Sequence, residues 1–523
     1  MTAVGPRSPP SGLRSVDTFR ETLRQARRDP NDPRIAVALA QAALKAQEEA
    51  LAEPIVTAAA EQARTDARLW QWSGLLQRAL DDRGRAIQAF ARAARIAPTD
   101  KSIAHGHARV VLEAGLPATQ LFEKACRIAP LDGDILLGLA AARVDQGDAA
   151  TAIEQLAAVL ADHPGWLVGH QTLARLRWMM GEGTAFVASI HRALGEAPRD
   201  ISLWRVLIAT LSHARSFDQA LAAIDRGRTA LSASAMFDAE EAVVHSEIGA
   251  TATADALFVT LGEPTDMSSA VRRVRHLLRS DRIDAACALI DRWITMPDAS
   301  LMWPYASAAW RMTGDRRGEW LDGSARLVSI TDLADRLPHL DKLVSLLTSI
   351  HRTRAQPFDQ SVRGGTQTDG VLLARIEPEI RALRATIADA VKAHVAALPK
   401  HDPYHPTLRA PRDRPVRFSG SWSVRLESGG YHSNHVHPAG WLSSVLYIAL
   451  PPTVAGEPPD AGWLTLGAPQ AELGLDLTPI RRIEPKPGRL VLFPSTMWHG
   501  TVPFAKGERL TVAFDVQEPI KPS

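Results

Sequence analysis

The stretch ARLWQWSGLLQRALDDRGRAIQAFARAARIAPTD, residues 67–100, decides the architecture of the N-terminal half. It is an alanine-rich, helix-like run that ends on a proline. Proline recurs at Pro98, Pro130, Pro164 and Pro198, at spacings of 32, 34 and 34 residues. Other positions keep step with it. Trp70, Gly74, Ala86, Phe90 and Ala93 in the first unit are followed by Gly106, Ala118, Phe122 and Ala125, and then by Leu136, Ala140, Ala152 and Leu156. The physical logic is that of a helical hairpin. Small residues let two helices approach, and large apolar residues fill the groove to the next hairpin. Proline stops the second helix, because it lacks an N–H and clashes with the preceding turn.

A helix–turn–helix unit of this period resembles the tetratricopeptide repeat. The pattern predicts repeats over residues 31–234, with a weaker first unit from about residue 33 and a later one carrying Trp204 and Ala220. Over 235–350 the pattern stays helical but blurs, as in SSAVRRVRHLLRSDRIDAACALIDRWI, and reads as degenerate repeats. Residues 1–30 read as a disordered tail. A stacked array presents a concave surface, so a peptide or protein partner is expected, with a scaffold or dimerisation role as the alternative. Trp178, Met179 and Met180 read as core.

Composition narrows the classes. The 523 residues carry 60 Lys+Arg against 58 Asp+Glu, a net charge of +2, with no basic block for a nucleic acid. Two cysteines far apart, Cys126 and Cys287, argue against a disulfide scaffold and fit a reducing compartment. The first fifteen residues hold no apolar core, and no run of about 18 apolar residues occurs. The expectation is a cytoplasmic protein without a membrane span.

Near residue 355 the composition changes. RTRAQPFDQSVRGGTQTDG breaks the helical pattern with Pro357, Gly364, Gly365 and Gly370. A helix is expected from about Leu372 to Leu398, and then strands: RFSGSWSVRLE, WLSSVLYIALP, GWLTLG, GRLVLFP and RLTVAFDV. Several strands without intervening helices predict a sandwich or barrel. A β domain with a helical lead-in is therefore expected over 351–523.

Chemistry concentrates in YHSNHVHPAGW, residues 431–441. His435 and His437 are two apart, so on an extended segment both imidazoles face the same side, and Pro438 favours that extension. His499 follows in FPSTMWHGTVPF. Arg509 comes ten residues later, with Thr511 on the same strand face, and a guanidinium beside a hydroxyl can grip a carboxylate. Ser443 and Tyr447 share a face of the strand after the histidine pair. Candidate pocket residues are His432, Arg425, Trp441 and Trp498; for the tryptophans a core position is the plainer reading.

This order of H-x-H, Tyr-bearing strand, distal His and Arg-x-Thr resembles the Fe(II)- and 2-oxoglutarate-dependent oxygenases, whose fold is a double-stranded β-helix (jelly roll). The resemblance implies an α+β multidomain chain, with an all-α repeat superhelix followed by a jelly roll. It implies Fe(II) and 2-oxoglutarate as cofactors, iron ligation by His435 and His499, and a grip on 2-oxoglutarate by Arg509 with Thr511, Tyr447 and Ser443. His437 stands where the family usually has Asp or Glu. Three-His ligation, an acid supplied by Glu427 or Asp515, and His437 as a neighbouring contact all stay open. Three histidines also suit zinc, so a zinc hydrolase and a non-catalytic repeat adaptor are the alternatives to an oxygenase acting on a recruited peptide or protein.

Overall fold

A computed structural model describes residues 11–231, 234–296 and 298–520. Helices dominate as far as Thr313, and two antiparallel sheets follow.

The helical half is built as hairpins, several of them capped the same way. Asp66, Asp100, Asp132 and Asp200 each precede a first helix and accept hydrogen bonds from its free N-terminal amides. Each hairpin turn needs one residue in the left-handed region. These residues are Gln47, Asp81, Gly115, Gly147, Gly181, Arg215, Gly249 and Asp281. They recur every 32 to 34 residues, so the repeat runs with unbroken period through the segment read as degenerate. Within and between hairpins the large residues sit on glycines. Phe90 lies over both Gly74 and Gly106, where a Cβ at Gly74 would come within 2.8 Å of its ring, and Phe122 lies over Gly138 in the same manner.

The expected tail divides. Residues 1–10 lie outside the described residues, whereas Ser11–Arg28 is a helix that buries Val16, Phe19, Leu23 and Ala26 against the next one. Its one apolar stripe needed a partner surface that the sequence alone did not reveal.

The β domain holds nine strands among the described residues: β1 (Ser329–Asp332), β2 (Val362–Gln367), β3 (Phe418–His432), β4 (Leu442–Ala449), β5 (Leu464–Leu466), β6 (Arg481–Ile483), β7 (Arg489–Pro494), β8 (His499–Thr501) and β9 (Arg509–Val516). The large sheet runs β1-β7-β4-β9-β3-β2 and the small one β6-β5-β8, all antiparallel. A bridge between His435 and His499 adds the histidine segment beside β8. This is the jelly roll. β1 falls inside the span read as helical repeats, because a four-residue edge strand leaves no periodicity to read; it pairs Ile330 with Val491 of β7.

Alternation gives the large sheet two faces. Leu442, Leu446, Leu490, Leu492, Leu510, Val512 and Phe514 pack on Ile380, Leu383, Ile387 and Val391 of the helix Pro378–Ala397. Val445, Tyr447, Val491 and Phe493 face inward, toward Leu464, Leu466 and Ile483 of the small sheet. The site lies between the sheets on this inner face.

The hairpin turns of the array point at the β domain. Arg417 pairs with Glu49, Arg414 with Glu48 at 2.8 Å, and Arg384 with Asp81. The Ile376 amide donates to Ala114 O at 3.1 Å, and Arg215 pairs with Glu472 at 3.0 Å. The linker lies on the repeats as well. The amides of Arg354 and Ala355 donate to Met179 O, each at 3.0 Å, Trp178 Nε1 donates to Gln356 O at 3.1 Å, and Phe358 packs edge-on to Trp178. Met179 is core as expected, but Trp178 is half-buried and holds the linker.

Candidate metal centre

His435, His437 and His499 converge. Each offers one nitrogen, and these atoms lie within 4.8 Å of one another. Ring centroids are 4.1 Å apart for His435 and His499, 4.9 Å for His435 and His437, and 5.1 Å for His437 and His499. Backbone pairing sets this up. His435 and His499 exchange amide hydrogen bonds at 2.9 and 3.0 Å, and the His437 amide donates to Ser495 O at 2.9 Å.

The second ring nitrogens fix the chemistry. Nδ1 of His435 meets Ser433 O at 2.9 Å, and Nδ1 of His499 meets Met497 O at 3.0 Å. Nδ1 of His437 meets both carboxylate oxygens of Asp515, at 2.8 and 2.9 Å. All three partners are acceptors, so each Nδ1 carries the proton and each Nε2 keeps its lone pair. Metal-binding histidines are oriented in just this way. Burial reinforces it by holding His435 and His499 well below the usual imidazole range, so that they stay neutral.

Asp515 thus stands behind His437. Its Oδ1 also accepts from Ser443 Oγ at 2.6 Å, and Ser443 Oγ lies 2.9 Å from Ser495 Oγ. Ser443, expected beside the cosubstrate, is engaged here instead, because the register pairs Ser443 with Asp515. Asp515 shares the inward face of β9 with Arg509 and Thr511, and this alternation was the signal that could have located it. Glu427 is exposed and has no contact with the cluster among the described residues.

Further along the inner face lies a polar cradle. Arg509 is buried and donates from Nη1 to Gly462 O at 2.8 Å, with its guanidinium 4.8 Å from the centre of the Tyr447 ring. No carboxylate pairs with it among the described residues. Arg509 Nε is buried without a hydrogen-bond partner, and Tyr447 Oη meets only the Arg509 guanidinium among the described residues. Burial pushes the Tyr447 hydroxyl up, against the opposing pull of Arg509, so the hydroxyl keeps its proton. Thr511 is buried opposite Tyr447 on the neighbouring strand. A buried guanidinium without a counter-charge is costly unless an anion completes it. These residues fit the carboxylate of a 2-oxo acid, and the imidazole set fits a divalent metal.

Other expected residues separate. His432 joins the site: it stacks on His435 at 5.8 Å, and its Nδ1 shares Ser361 Oγ (3.0 Å) with His435 Nε2 (3.1 Å). Burial, aided by Arg509, holds His432 down at about 3. Arg425 does not reach the cluster, since it pairs with Glu508 at the sheet's edge. Trp441 and Trp498 are core. Trp441 Nε1 donates to Thr407 O, and Trp498 Nε1 donates to Pro304 O of the last repeat helix, each at 2.9 Å. Ser361, Trp422 (5.5 Å from His437) and Phe493 (4.7 Å from His499) complete the walls; the sequence reading had not placed them there.

Residues 420–515 match the family model "Putative 2OG-Fe(II) oxygenase". No curated protein matches the chain. Among solved structures, a tetratricopeptide repeat protein from Parabacteroides merdae is 13% identical, covering 44% of this chain and 92% of its own, at a TM-score of 0.31. A prolyl-4-hydroxylase from Pseudomonas putida is 19% identical, covering 37% and 94%, at 0.25. YrrB, a repeat protein described as having an unusual peptide-binding site, is 14% identical, covering 35% and 96%, at 0.28. No described helix is long and apolar enough to cross a membrane.

Proposed function

We propose that this chain is an Fe(II)- and 2-oxoglutarate-dependent dioxygenase that oxidises a side chain of a peptide or protein engaged through its repeat half. One juxtaposition carries the reading: three imidazoles locked in one tautomer, beside a buried guanidinium that lacks an anion. A zinc hydrolase has no use for that guanidinium.

In this reading His435, His437 and His499 hold the metal through Nε2. When bound, iron and 2-oxoglutarate would supply the oxidising chemistry with O₂, one oxygen atom going to the substrate and the other to succinate, with loss of CO₂. Arg509, with Tyr447 Oη and Thr511, holds the distal carboxylate of the cosubstrate and so orients its 2-oxo acid end toward the histidines. Asp515 supplies the negative charge that a carboxylate ligand would have given, from behind the His437 ring. Trp422 and Phe493 exclude water from the imidazole faces.

The test is anaerobic titration of the full chain with Fe(II) and 2-oxoglutarate, following the metal-to-ligand charge-transfer band. The band is expected for the parent and lost in Arg509→Ala at the same 2-oxoglutarate concentration. Absence of the band in the parent would leave the adaptor as the better account.

A further inference from the structure

The His435 side of the histidine cluster borders a cavity shared with the repeats. A cavity of about 420 Å³ has His435, Ser433 and Ser361 at its base. Its far wall comes from the helices Ile201–His213, Ala235–Glu247 and Met267–Arg279 of the array. Its volume falls within the range of pockets that bind compact ligands, so it can admit a short run of side chains but not a folded surface.

Charge in this cavity is nearly balanced, with one exception. Four guanidiniums line it, those of Arg215, Arg272, Arg275 and Arg363. Arg272 pairs with Glu240 at 2.9 Å, Arg275 with Glu247 at 2.8 Å, and Arg215 with Glu472 at 3.0 Å. Asp359, the other acid in the lining, is 3.7 Å from Arg175. Arg363 has no carboxylate partner among the described residues. Its Nη1 donates to Gln360 O at 2.6 Å and Val362 O at 2.7 Å, both neutral. It projects from β2 where Arg363 pairs with Tyr431, next to His432 of the site. A half-buried guanidinium with only carbonyl partners has donors left over for a planar anion.

We propose that the repeat helices and the jelly roll together form the substrate site, and that Arg363 binds a carboxylate on an extended peptide segment whose neighbouring side chain reaches the histidines. The assignment rests on the proposed oxygenase function for the meaning of "substrate", but the binding itself requires no turnover. Val243, half-buried on Ala235–Glu247, marks the repeat wall, and Arg363 marks the recognition point.

The probes are three pools of random octapeptides, amidated at the C-terminus, with a fixed central Asp, Asn or Lys. Each pool is incubated with the full-length protein, and retention is read by affinity-selection mass spectrometry. The Asp pool is expected to be retained about tenfold over the Asn pool, the lower end of what a charge-assisted hydrogen bond supplies. Arg363→Gln should erase that preference and Arg363→Lys should keep part of it. Val243→Trp should cut retention of every pool at least fivefold with the melting temperature unchanged. Equal retention of the Asp and Asn pools, a preference that survives in Arg363→Gln, or no retention of any pool overturns the role of Arg363. Full retention by Val243→Trp overturns the shared wall. Retention with these preferences, alongside an absent charge-transfer band, would refute the oxygenase and leave the binding site standing.

Discussion

Replacing Asp515 with Asn tests the arrangement behind His437 most directly. The substitution keeps the shape of the side chain and removes its charge. Two contacts are at stake, at 2.8 and 2.9 Å from His437 Nδ1, and a third from Ser443 Oγ at 2.6 Å. The carboxylate is only 14% exposed, so water screens it little. A hydrogen bond to a charged group contributes about 1.5–3 kcal/mol, against about 0.5–1.5 for a neutral pair. Asn can still accept from Nδ1–H, so the expected loss is about 1.4 kcal/mol, a tenfold weakening of metal binding. Ala removes the acceptor as well and should fall toward the hundredfold end of what partners of metal-bound histidines supply. The assay is calorimetric titration of apo protein with Mn²⁺ or Zn²⁺, read without turnover. A dissociation constant unchanged within twofold in Asp515→Ala would refute the claim that this carboxylate orients and charges the site.

Two further outcomes follow from the packing. His394 is buried with Nε2 unpartnered, and burial holds it down at about 4, whereas in the unfolded chain it titrates near 6.5. Between those values the unfolded chain takes up a proton that the native state does not. Its contribution is therefore present above about pH 6.5 and lost as pH falls toward 4. The melting temperature should drop across that window, and His394→Leu should make the drop shallower; an identical slope would count against the assignment. Phe358→Ala should cost about 2 kcal/mol, less than a fully buried phenylalanine, because the ring is half-buried against Trp178 and Phe186. Faster hydrogen exchange over residues 352–361 is the expected signature, and an unaltered exchange rate would show that the linker is held elsewhere.

The histidines, Arg509 and the repeat period were legible because each is a short-range pattern. Prolines and glycines mark helix ends and close contacts at fixed offsets, and H-x-H needs only an extended segment to put both rings on one side. Asp515 was half legible. Its alternation with Arg509 placed it inward, but its partner depends on the pairing of β4 with β9, 72 residues away in the chain. Ser361 and Trp422 were illegible for the same reason, since their roles come from strand register and not from their neighbours. The helix Ser11–Arg28 was missed because a single amphipathic turn pattern beside prolines carries no period to compare. Past residue 234 the repeats read only as degenerate, because side-chain identity drifts there while the turn conformation persists. There Asp281 adopts the left-handed state that glycine takes at 115, 147, 181 and 249.

The regular contact of hairpin turns with the β domain alters what kind of object the array is. A free repeat stack couples only neighbour to neighbour, so it can fray from an end and can lengthen or shorten by whole units. Here Glu48, Asp81, Ala114 and Arg215 are each tied to a separate point on the β domain, and Met179 holds the linker that leads into it. The stack therefore acts as a gauge of fixed length. Deleting one unit would leave every later turn about one hairpin out of step with its anchor. Unfolding should accordingly be cooperative across both halves, where an untethered stack would melt in stages.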